Sequence, residues 1–363
     1  MSRNKFRKIF DLYTSDLSFQ EIERLIKRDA AEVYEFFKND IPKEEGEKKN
    51  KFTRAFIFMR SLFNAFIMRL SPARRIFYLV AVLTFLIGYL NQINSYLLIS
   101  FIIVNILLAF ELADKLLTKD ELTIARKIQT GLMPKNPPKL EKFEISAYYE
   151  AAKEVGGDYY DIIQSNGKTI LLVGDISGKG MAAAIYMVRV QAIIHTLLSR
   201  VDNIKDLMIR LKSLFDQKLL PEYFLTLIAA SINEDDSINL CSAGHQPAIY
   251  YKKSEEKIYE LNPKGIGLGL NDHGAFEKIL EMQNVKPESG DIFLFYTDGL
   301  NEAMDCADNQ FGIERIKNLI ASNHDLSAKE INIKIRSALD QFCCEDAKRD
   351  DLSMIVLKMK NNE

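Results

Sequence analysis

The pattern of apolar and polar positions divides the chain into a helical front and a strand-rich back. Apolar residues at helical spacing predict an amphipathic helix over residues 17–37, within a cytosolic segment 1–50. A second apolar stripe follows residue 51, and Arg54, Arg60 and Arg69 lie off that stripe. This arrangement is typical of a basic helix at a membrane interface. Packing of the same helix on other protein is the alternative.

The next segment is uncharged from residue 76 to residue 110. One helix of that length would measure about 50 Å, more than the roughly 30 Å hydrocarbon core of a bilayer. The polar cluster at 91–95 predicts instead a transmembrane hairpin with spans over about 76–90 and 95–110, which completes a membrane region 51–110. Basic residues flank both ends, so a two-pass topology in the cell (inner) membrane is predicted, with both flanking regions cytoplasmic. A buried hairpin in a soluble protein is the alternative.

Residues 111–138 are predicted to form a linker helix that ends at its prolines. Its apolar stripe is narrow and includes Ile124, Ile128 and Leu132. Such a stripe is typical of two parallel helices in a homodimer, but also of a helix that lies on its own domain. Both interpretations stay open on the pattern alone.

Beyond Pro138 the pattern changes to short β-rich runs bounded by turn residues. Two helical patterns, 181–198 and 204–219, are inserted consecutively, and two more, 312–320 and 328–342, precede a last strand over 352–358. Strand blocks that alternate with helix pairs predict an α+β domain over 139–360. The expected form is an αββα sandwich, in which helix pairs flank two antiparallel sheets.

Charge and cysteine content refine this division. Residues 1–75 carry 17 Lys and Arg against 11 Asp and Glu, whereas the remainder carries 31 against 39. A basic front suits a membrane-proximal segment, and an acidic back argues against nucleic-acid binding. The four cysteines have no paired spacing, so we expect a reduced compartment and no disulfide framework.

Acidic residues at predicted strand edges are the candidate chemistry. Asp158, Asp175 and Asp298 stand beside glycine, and the pair Asp350-Asp351 precedes the last strand. Carboxylates that converge from distant strands bind hard cations such as Mg²⁺ or Mn²⁺. Any one Asp-Gly pair is more often an ordinary turn, and these residues alone leave a metal site and a set of turns about equally favoured.

Two other phosphate-related patterns are rejected. Gly174–Gly180 has one residue too few between its glycines for a nucleotide-binding P-loop, and Gly180 stands where Ser or Thr is required. Cys343 and Arg349 have the Cys-x5-Arg spacing of cysteine-dependent phosphatases. The residues between them include two acids and no glycine, so they would not cradle a phosphate.

Short motifs spread over the back of the chain carry a family resemblance. From about Leu122 to Lys358 the chain resembles the PPM-type metal-dependent serine/threonine phosphatases, in the bacterial SpoIIE/RsbU-like branch. About two thirds of the chain is covered, in the family's order, and the αββα sandwich is this family's fold. The matching stretches are Ala125–Gln129, Leu132–Pro134, Glu154–Asp161, Gly174–Gly180, Ser242–His245, Tyr296–Ala303 and Asp350–Ser353.

The resemblance implies two bound ions, Mn²⁺ or Mg²⁺, which activate a water without a phosphoenzyme. The implied ligands are Asp158, Asp175, Asp298, Asp350 and the Ile176 carbonyl, with Asp175 bridging both ions. Asp351 is a further candidate ligand. Other branches of the family have Asn at its position, so the division of roles between Asp350 and Asp351 stays open. Substrate-phosphate candidates are Lys153, Glu154 and Lys179, while His245 is favoured as structural.

The function implied by the resemblance is a membrane-anchored protein phosphatase acting on phosphoserine or phosphothreonine. Its expected partner is a small regulatory protein such as an anti-sigma-factor antagonist, as in sigma-factor partner switching. The alternative is a non-catalytic signalling scaffold that uses the phosphatase fold to bind a partner.

Overall fold

The computed structural model describes residues 60–361 except 62, 65, 66, 69, 135, 219–222 and 345–349. The predicted segment 1–50 and most of the predicted interfacial helix lie outside the described residues. The chain separates into two compact units, Met1–Leu117 and Thr118–Glu363.

Two long helices, α1 (Pro72–Leu90) and α2 (Asn94–Leu132), are joined at residues 91–93. Helix α1 and the part of α2 up to Leu117 belong to the first unit, and the rest of α2 belongs to the second. Proline at the first position of α1 is well placed, because that position has no helical hydrogen bond to donate. The predicted second span and the predicted linker helix form the single helix α2. The hairpin places its helices close together: a Cβ on Gly88 would lie 2.9 Å from the Cβ of Tyr96.

Polar contacts join the two helices in the middle of the hairpin and near its charged end. The Ser100 hydroxyl donates to the Ala81 carbonyl at 2.8 Å, in a buried position. Near the charged ends, Arg74 donates to Glu111 at 2.9 Å and to Asp114 at 2.6 Å. By length and composition, three helices of the described chain are apolar enough to cross a membrane: α1, α2 and α3 (Met181–Leu198).

The second unit contains two five-stranded antiparallel sheets. The first has the order β1-β10-β9-β6-β7 and the second the order β2-β3-β4-β5-β8. The strands are β1 Phe143–Glu150, β2 Asp158–Ser165, β3 Lys168–Ile176, β4 Leu225–Ile232, β5 Ile238–Ala243, β6 Ala248–Lys252, β7 Lys257–Leu261, β8 Met282–Val285, β9 Ile292–Tyr296 and β10 Leu352–Met359.

Helices cover both sheets: α3 and α4 (Ile204–Lys218) contact the second sheet, and α7 (Ile313–Ser322) and α8 (Ala328–Phe342) contact the first. Two short helices, α5 (Phe276–Ile279) and α6 (Asp298–Asn301), lie in the connections. This architecture confirms the predicted αββα sandwich. Strand β9 shows why it forms: Phe293 and Phe295 belong to the core between the sheets, whereas Leu294 packs under α7 and α8.

Two features differ from the sequence-based expectations or were absent from them. Strands β7 and β8 lack a clear apolar alternation and were not predicted. The expectation of unpaired cysteines is wrong, because Cys306 and Cys344 form a disulfide across 38 residues of sequence. The spacing of the cysteines in the sequence does not indicate this pairing, because it is the fold that brings the loop after α6 beside the end of α8.

Candidate functional site

The hairpin of β2 and β3 supplies the first half of the carboxylate cluster. Asp158 is the first residue of β2, and Asp175 lies directly opposite it in the antiparallel register. Asp158 is almost fully buried, whereas Asp175 is partly exposed. Because opposed residues of a ladder point to the same face, the two carboxylates lie on one side of the hairpin.

Glycine before β2 permits an unusually close approach of neighbouring groups. A Cβ on Gly156 would lie 2.5 Å from a carboxylate oxygen of Asp351. A Cβ on Gly157 would lie 2.9 Å from the Ile176 carbonyl oxygen and 3.1 Å from the Ala183 Cβ. Both glycines are therefore required by space, since no side chain fits between these groups.

The second half of the cluster comes from the other sheet. Asp298 begins α6 directly after β9, and Asp350 and Asp351 precede β10, the neighbour of β9. The buried Thr297 hydroxyl donates to an Asp158 carboxylate oxygen at 2.6 Å and accepts from the Ser353 amide at 2.8 Å. Thr297 therefore ties the two sheets together at the cluster.

Asp350 and Asp351 have different surroundings. Both carboxylate oxygens of Asp351 accept backbone amides, from Ala152 at 2.8 Å and from Gly157 at 2.6 Å. Asp350 instead forms an ion pair with Lys179, at 2.5 Å. Asp351 thus holds the loop before β2, whereas Asp350 faces the open side of the cluster.

The carboxylates raise one another's pKa. Burial raises the pKa of Asp158 well above its usual range, and the charge of Asp175 raises it further. Burial and then the charges of Asp298, Asp350 and Asp351 raise the pKa of Asp175 to about 7. Burial, followed by Asp350, also raises the pKa of Asp298. Such a cluster of like charges is expected to bind a cation, which relieves the repulsion.

The donor chemistry fits a hard divalent cation, which prefers carboxylate and carbonyl oxygens. Repulsion among the Asp carboxylates is the observation behind this fit. Among the residues that the structure describes, however, no three His, Cys, Asp or Glu side chains lie close enough together to hold one ion. The residues therefore fit a metal in the chemistry of their donor atoms, although the described side chains form no group of three that could hold an ion.

The other candidate residues lie around this cluster. Lys179 reaches it through the ion pair with Asp350, although 68% of the Lys179 side chain remains exposed to solvent. Lys153 is exposed and Glu154 half-buried in the loop between β1 and β2. The Ile176 backbone is at the end of β3, and its amide donates to the Gly157 carbonyl at 3.4 Å.

His245 is buried between the sheets, as expected for a structural residue. One ring nitrogen, Nε2, contacts the Tyr296 carbonyl at 3.0 Å, and Nδ1 contacts the Thr226 hydroxyl at 2.8 Å. Since a carbonyl only accepts, Nε2 carries the proton and Nδ1 accepts from Thr226. Burial lowers the His245 pKa to about 4, so the ring is neutral at physiological pH.

Two contacts of the site were not assigned from the sequence. The first is the hydrogen bond from Thr297 to Asp158. The second is a pair of hydrogen bonds between the buried Gln129 of α2 and the backbone of Gly156. The Gln129 Nε2 donates to the Gly156 carbonyl at 2.6 Å, and the Gln129 Oε1 accepts from the Gly156 amide at 3.2 Å. A Gln among exposed neighbours on a surface helix is a weak signal. Thr297 adjoins Asp298, but nothing in the sequence pairs it with Asp158.

Comparison with known proteins now defines the class. The family model of Stage II sporulation protein E (SpoIIE) matches residues 165–360, more than half of the chain. The chain belongs to the SpoIIE family of PP2C-type phosphatase domains. The matched stretch includes Asp175, Asp298 and Asp350, while Asp158 precedes it.

Curated relatives extend the similarity. The chain is 28% identical to the phosphoserine phosphatase RsbU of Bacillus subtilis over 249 residues, which are 67% of this chain and 71% of RsbU. It is also 28% identical to the phosphoserine phosphatase RsbP of the same organism over 259 residues, 68% of this chain and 59% of RsbP. Both of these relatives are named as phosphoserine phosphatases.

Solved structures share the fold. The SiaA-PP2C domain of Pseudomonas aeruginosa matches with a TM-score of 0.59 and 18% identity, over 68% of this chain and 99% of that domain. The RsbU and RsbW domains of Rv1364c from Mycobacterium tuberculosis match with a TM-score of 0.54 and 21% identity, over 64% of each chain. At these identities the likeness concerns the fold alone.

Proposed function

We propose that this protein is a membrane-anchored phosphatase that hydrolyses phosphoserine or phosphothreonine on a regulatory protein, using two Mn²⁺ or Mg²⁺ ions. The observation that carries the proposal is the convergence of Asp158, Asp175, Asp298 and Asp350 from both sheets on one edge of the sandwich. Family membership and the names of RsbU and RsbP support the same chemistry.

The four Asp residues and the Ile176 carbonyl are assigned as the groups that would hold the metal ions, and the family resemblance assigns Asp175 to both ions. When bound, the two ions lower the pKa of a water and neutralise phosphate charge during an in-line displacement. Asp351 is assigned a positioning role, because the amides of Ala152 and Gly157 already occupy its oxygens. Thr297 holds the Asp158 carboxylate in place through its hydroxyl.

Lys179, Lys153 and Glu154 are the candidates for substrate contact. In the structure Lys179 neutralises Asp350. A cation held by Asp350 would replace Lys179 as its partner, and the Lys179 ammonium would then attract a substrate phosphate. Lys153 and Glu154 line the loop next to the site, where they suit recognition of residues around the phosphoserine.

The central test is hydrolysis by the full chain in detergent with Mn²⁺. We expect release of phosphate from a phosphoserine protein, and a loss of at least about 100-fold in Asp175→Asn, since a ligand shared by two ions is removed. Asp202→Asn, which changes an exposed Asp between α3 and α4, is the matched control and should retain full activity. Equal activity of Asp175→Asn and wild type would contradict the proposal.

The substrate class follows from the relatives rather than from the site. Because RsbU and RsbP are named as phosphoserine phosphatases, we propose a phosphorylated signalling protein, such as an anti-sigma-factor antagonist, as the substrate. Comparison of phosphopeptides between a deletion strain and its parent would identify it. Accumulation of no phosphoserine or phosphothreonine peptide in the deletion strain would refute this assignment.

Membrane anchoring is proposed through α1 and α2, whose apolar side chains are largely exposed. Arg74, Glu111 and Asp114 form a charged cluster at one end of the pair, and a tight turn lies at the other. A two-pass hairpin in the cell (inner) membrane, with the N-terminus and phosphatase domain cytoplasmic, accounts for both ends. Cysteine-accessibility labelling in intact cells tests it; labelling of the phosphatase domain from outside would contradict it.

Helix α2 is proposed to transmit regulation and to mediate a homodimer. Gln129 contacts the backbone of Gly156, two residues before Asp158, so rotation of α2 would displace a ligand segment. The exposed Ile128, Met181 and Ile185 border an apolar cavity of about 190 Å³, a surface suited to a second copy. Sedimentation of the full chain tests the dimer; a monomer at all concentrations would rule it out.

The non-catalytic scaffold is the second candidate. It is favoured by one observation, that no three described acidic, His or Cys side chains stand ready to hold an ion. Calorimetry with Mn²⁺ decides between the two functions. Two bound ions per chain support the phosphatase, whereas absence of binding supports the scaffold.

A further inference from the structure

Residues 97–110 of helix α2 include two polar side chains, Ser100 and Asn105, and the structure places them on different sides of the helix. The Ser100 hydroxyl is buried against α1, where it donates to the Ala81 carbonyl at 2.8 Å. Asn105 follows five residues later, which puts it about 140° around the helix from Ser100. The Asn105 side chain is exposed and lies on the side of α2 that is turned away from α1.

Asn105 lies well inside the apolar run of α2. It stands ten residues after Ser95 and six residues before Glu111, which bound that run. These separations correspond to about 15 Å and about 9 Å along the helix axis, so the amide lies within the hydrocarbon core when α2 spans a membrane. The core holds no water to pair with an amide, and its hydrogen-bonding groups therefore need protein partners.

Helix α2 itself meets only part of this need. The Asn105 Nδ2 donates to the Phe101 carbonyl at 2.8 Å. That bond engages one of the two N–H groups of the amide and does not engage its acceptor oxygen. The amide therefore presents both a donor and an acceptor at the surface of the helix.

The residues around Asn105 have the seven-residue spacing of paired helices. Leu98 and Leu112 stand seven residues before and after Asn105, and Phe101 and Leu108 lie between them at the intermediate positions. The four apolar side chains are each more than half exposed, so α1 does not cover them. We call these five residues the Asn105 stripe. A single Asn at such a position favours a defined pairing of two parallel helices.

A second copy of the chain is the partner that matches the Asn105 stripe. Copies inserted with the same topology have parallel α2 helices, and a two-fold axis along the stripe brings the two Asn105 side chains together. Each amide then donates an N–H to the oxygen of the other, so the partial charges are complementary although the residues are identical. A lipid tail offers neither a donor nor an acceptor.

We propose that two copies of this chain associate within the membrane through the Asn105 stripe, with the paired amides at its centre. This inference rests on the proposed membrane anchoring. It gives the proposed homodimer an interface inside the bilayer, in addition to the surface at Ile128. The association does not depend on phosphatase activity.

Sedimentation equilibrium of the full chain in detergent micelles measures the association. Asn105→Leu removes the amide but keeps a side chain of similar size, whereas Asn105→Gln retains an amide. Thr84→Val is the matched control, because it removes a polar group from α1 that bonds its own helix, at the Val80 carbonyl, at 2.7 Å. We expect the dissociation constant of the dimer to rise roughly three- to thirtyfold in Asn105→Leu. It should rise less in Asn105→Gln and stay unchanged in Thr84→Val.

Disulfide cross-linking in membranes tests the geometry of the pair. Leu112→Cys places a thiol on the stripe, where it faces the same thiol of the second copy. Ile106→Cys is the matched control: the two side chains are 55% and 50% exposed, but Ile106 lies about 100° around the helix from Asn105. We expect an oxidant to join Leu112→Cys chains beyond the level of wild type, which has the native cysteines, and Ile106→Cys chains only to the wild-type level.

The inference is overturned if Asn105→Leu dissociates like wild type, or if Ile106→Cys chains are joined as readily as Leu112→Cys chains. A wild-type dimer that Asn105→Leu does not weaken leaves the proposed homodimer standing through its surface at Ile128. Release of the chain from membranes by an alkaline wash removes both the proposed anchoring and this inference. An Asn105-dependent dimer without phosphate release sinks the phosphatase and supports the inference.

Discussion

Asp158 and Asp175 face each other across the ladder of β2 and β3, whereas Asp298 and Asp350 lie just outside β9 and β10. The first pair is held by backbone hydrogen bonds and by glycines that leave no free space. In the second pair, Asp298 begins the short helix α6, and Asp350 forms an ion pair with the exposed Lys179. We therefore expect the half formed by Asp158 and Asp175 to be preformed, and the half formed by Asp298 and Asp350 to be the one that adjusts on cation binding.

The largest expected effect is a pH dependence of metal-free stability, which originates in the preformed half. The pKa of Asp175 is about 7 in the folded protein, against a usual value of 3.8. The folded state therefore retains a proton that the unfolded state loses, so stability is full below pH 4 and is lost as pH rises through 7. Three pKa units correspond to at most about 4 kcal/mol, before solvent screening.

Thermal unfolding of the metal-free full chain between pH 4 and pH 8 measures this loss. Asp175→Asn is the control, because an amide does not titrate and the slope should become shallower. Added Mn²⁺ should restore stability at pH 7 and above. A wild-type slope equal to that of Asp175→Asn would show that Asp175 is not strained by its neighbours.

Gly157→Ala tests how tightly the preformed half is packed. The added methyl meets the Ile176 carbonyl oxygen at 2.9 Å and the Ala183 Cβ at 3.1 Å. We expect a destabilisation of about 1–3 kcal/mol, as for overpacking in a core. Gly131→Ala is the matched control: it has no atom within 4 Å of the new methyl and lies in α2, so it should stabilise by about 0.5–1 kcal/mol. Equal changes in unfolding temperature would contradict the packing argument.

Gln129→Ala tests whether α2 supports the half of the site formed by Asp158 and Asp175. It leaves the buried amide and carbonyl of Gly156 without their partner, which costs about 1–3 kcal/mol. Phosphate release should fall together with Mn²⁺ affinity, since Gly156 stands two residues before Asp158. Thr130→Ala, on the exposed face of the same helix, should change neither. Unchanged Mn²⁺ affinity in Gln129→Ala would separate α2 from the site.

Lys179→Ala tests the half of the site formed by Asp298 and Asp350. Of the changes considered, it should alter the free energy of unfolding least. The Lys179–Asp350 pair is substantially exposed, and such pairs contribute at most about 1 kcal/mol. We expect a KM for the phosphoprotein raised about three- to tenfold, with a small change in kcat, since Lys179 is assigned to attract substrate. Lys278→Ala, at an exposed position in α5, is the control. An unchanged KM would remove Lys179 from the substrate-binding residues.

The sequence by itself determined the class of this protein. Apolar alternation and turn residues predicted the helix-flanked sandwich, and the resemblance carried by the motifs between Ala125 and Ser353 implied the family; both predictions are confirmed. It did so because these signals are local: strand periodicity, glycine beside acid and a charge-free apolar run each lie within a few tens of residues. Strands β7 and β8 were not predicted from the sequence, because these short and mostly exposed segments show little of that periodicity.

Tertiary structure decided which residues meet. Thr297 reaches Asp158 across the sheets, Gln129 holds Gly156, and Cys306 joins Cys344, although none of these pairs is close in sequence. The structure also distinguishes Asp350, which is paired with Lys179, from Asp351, whose two carboxylate oxygens each accept a backbone amide. Such contacts depend on strand register and on the packing of separate elements, and no periodicity within one element encodes them.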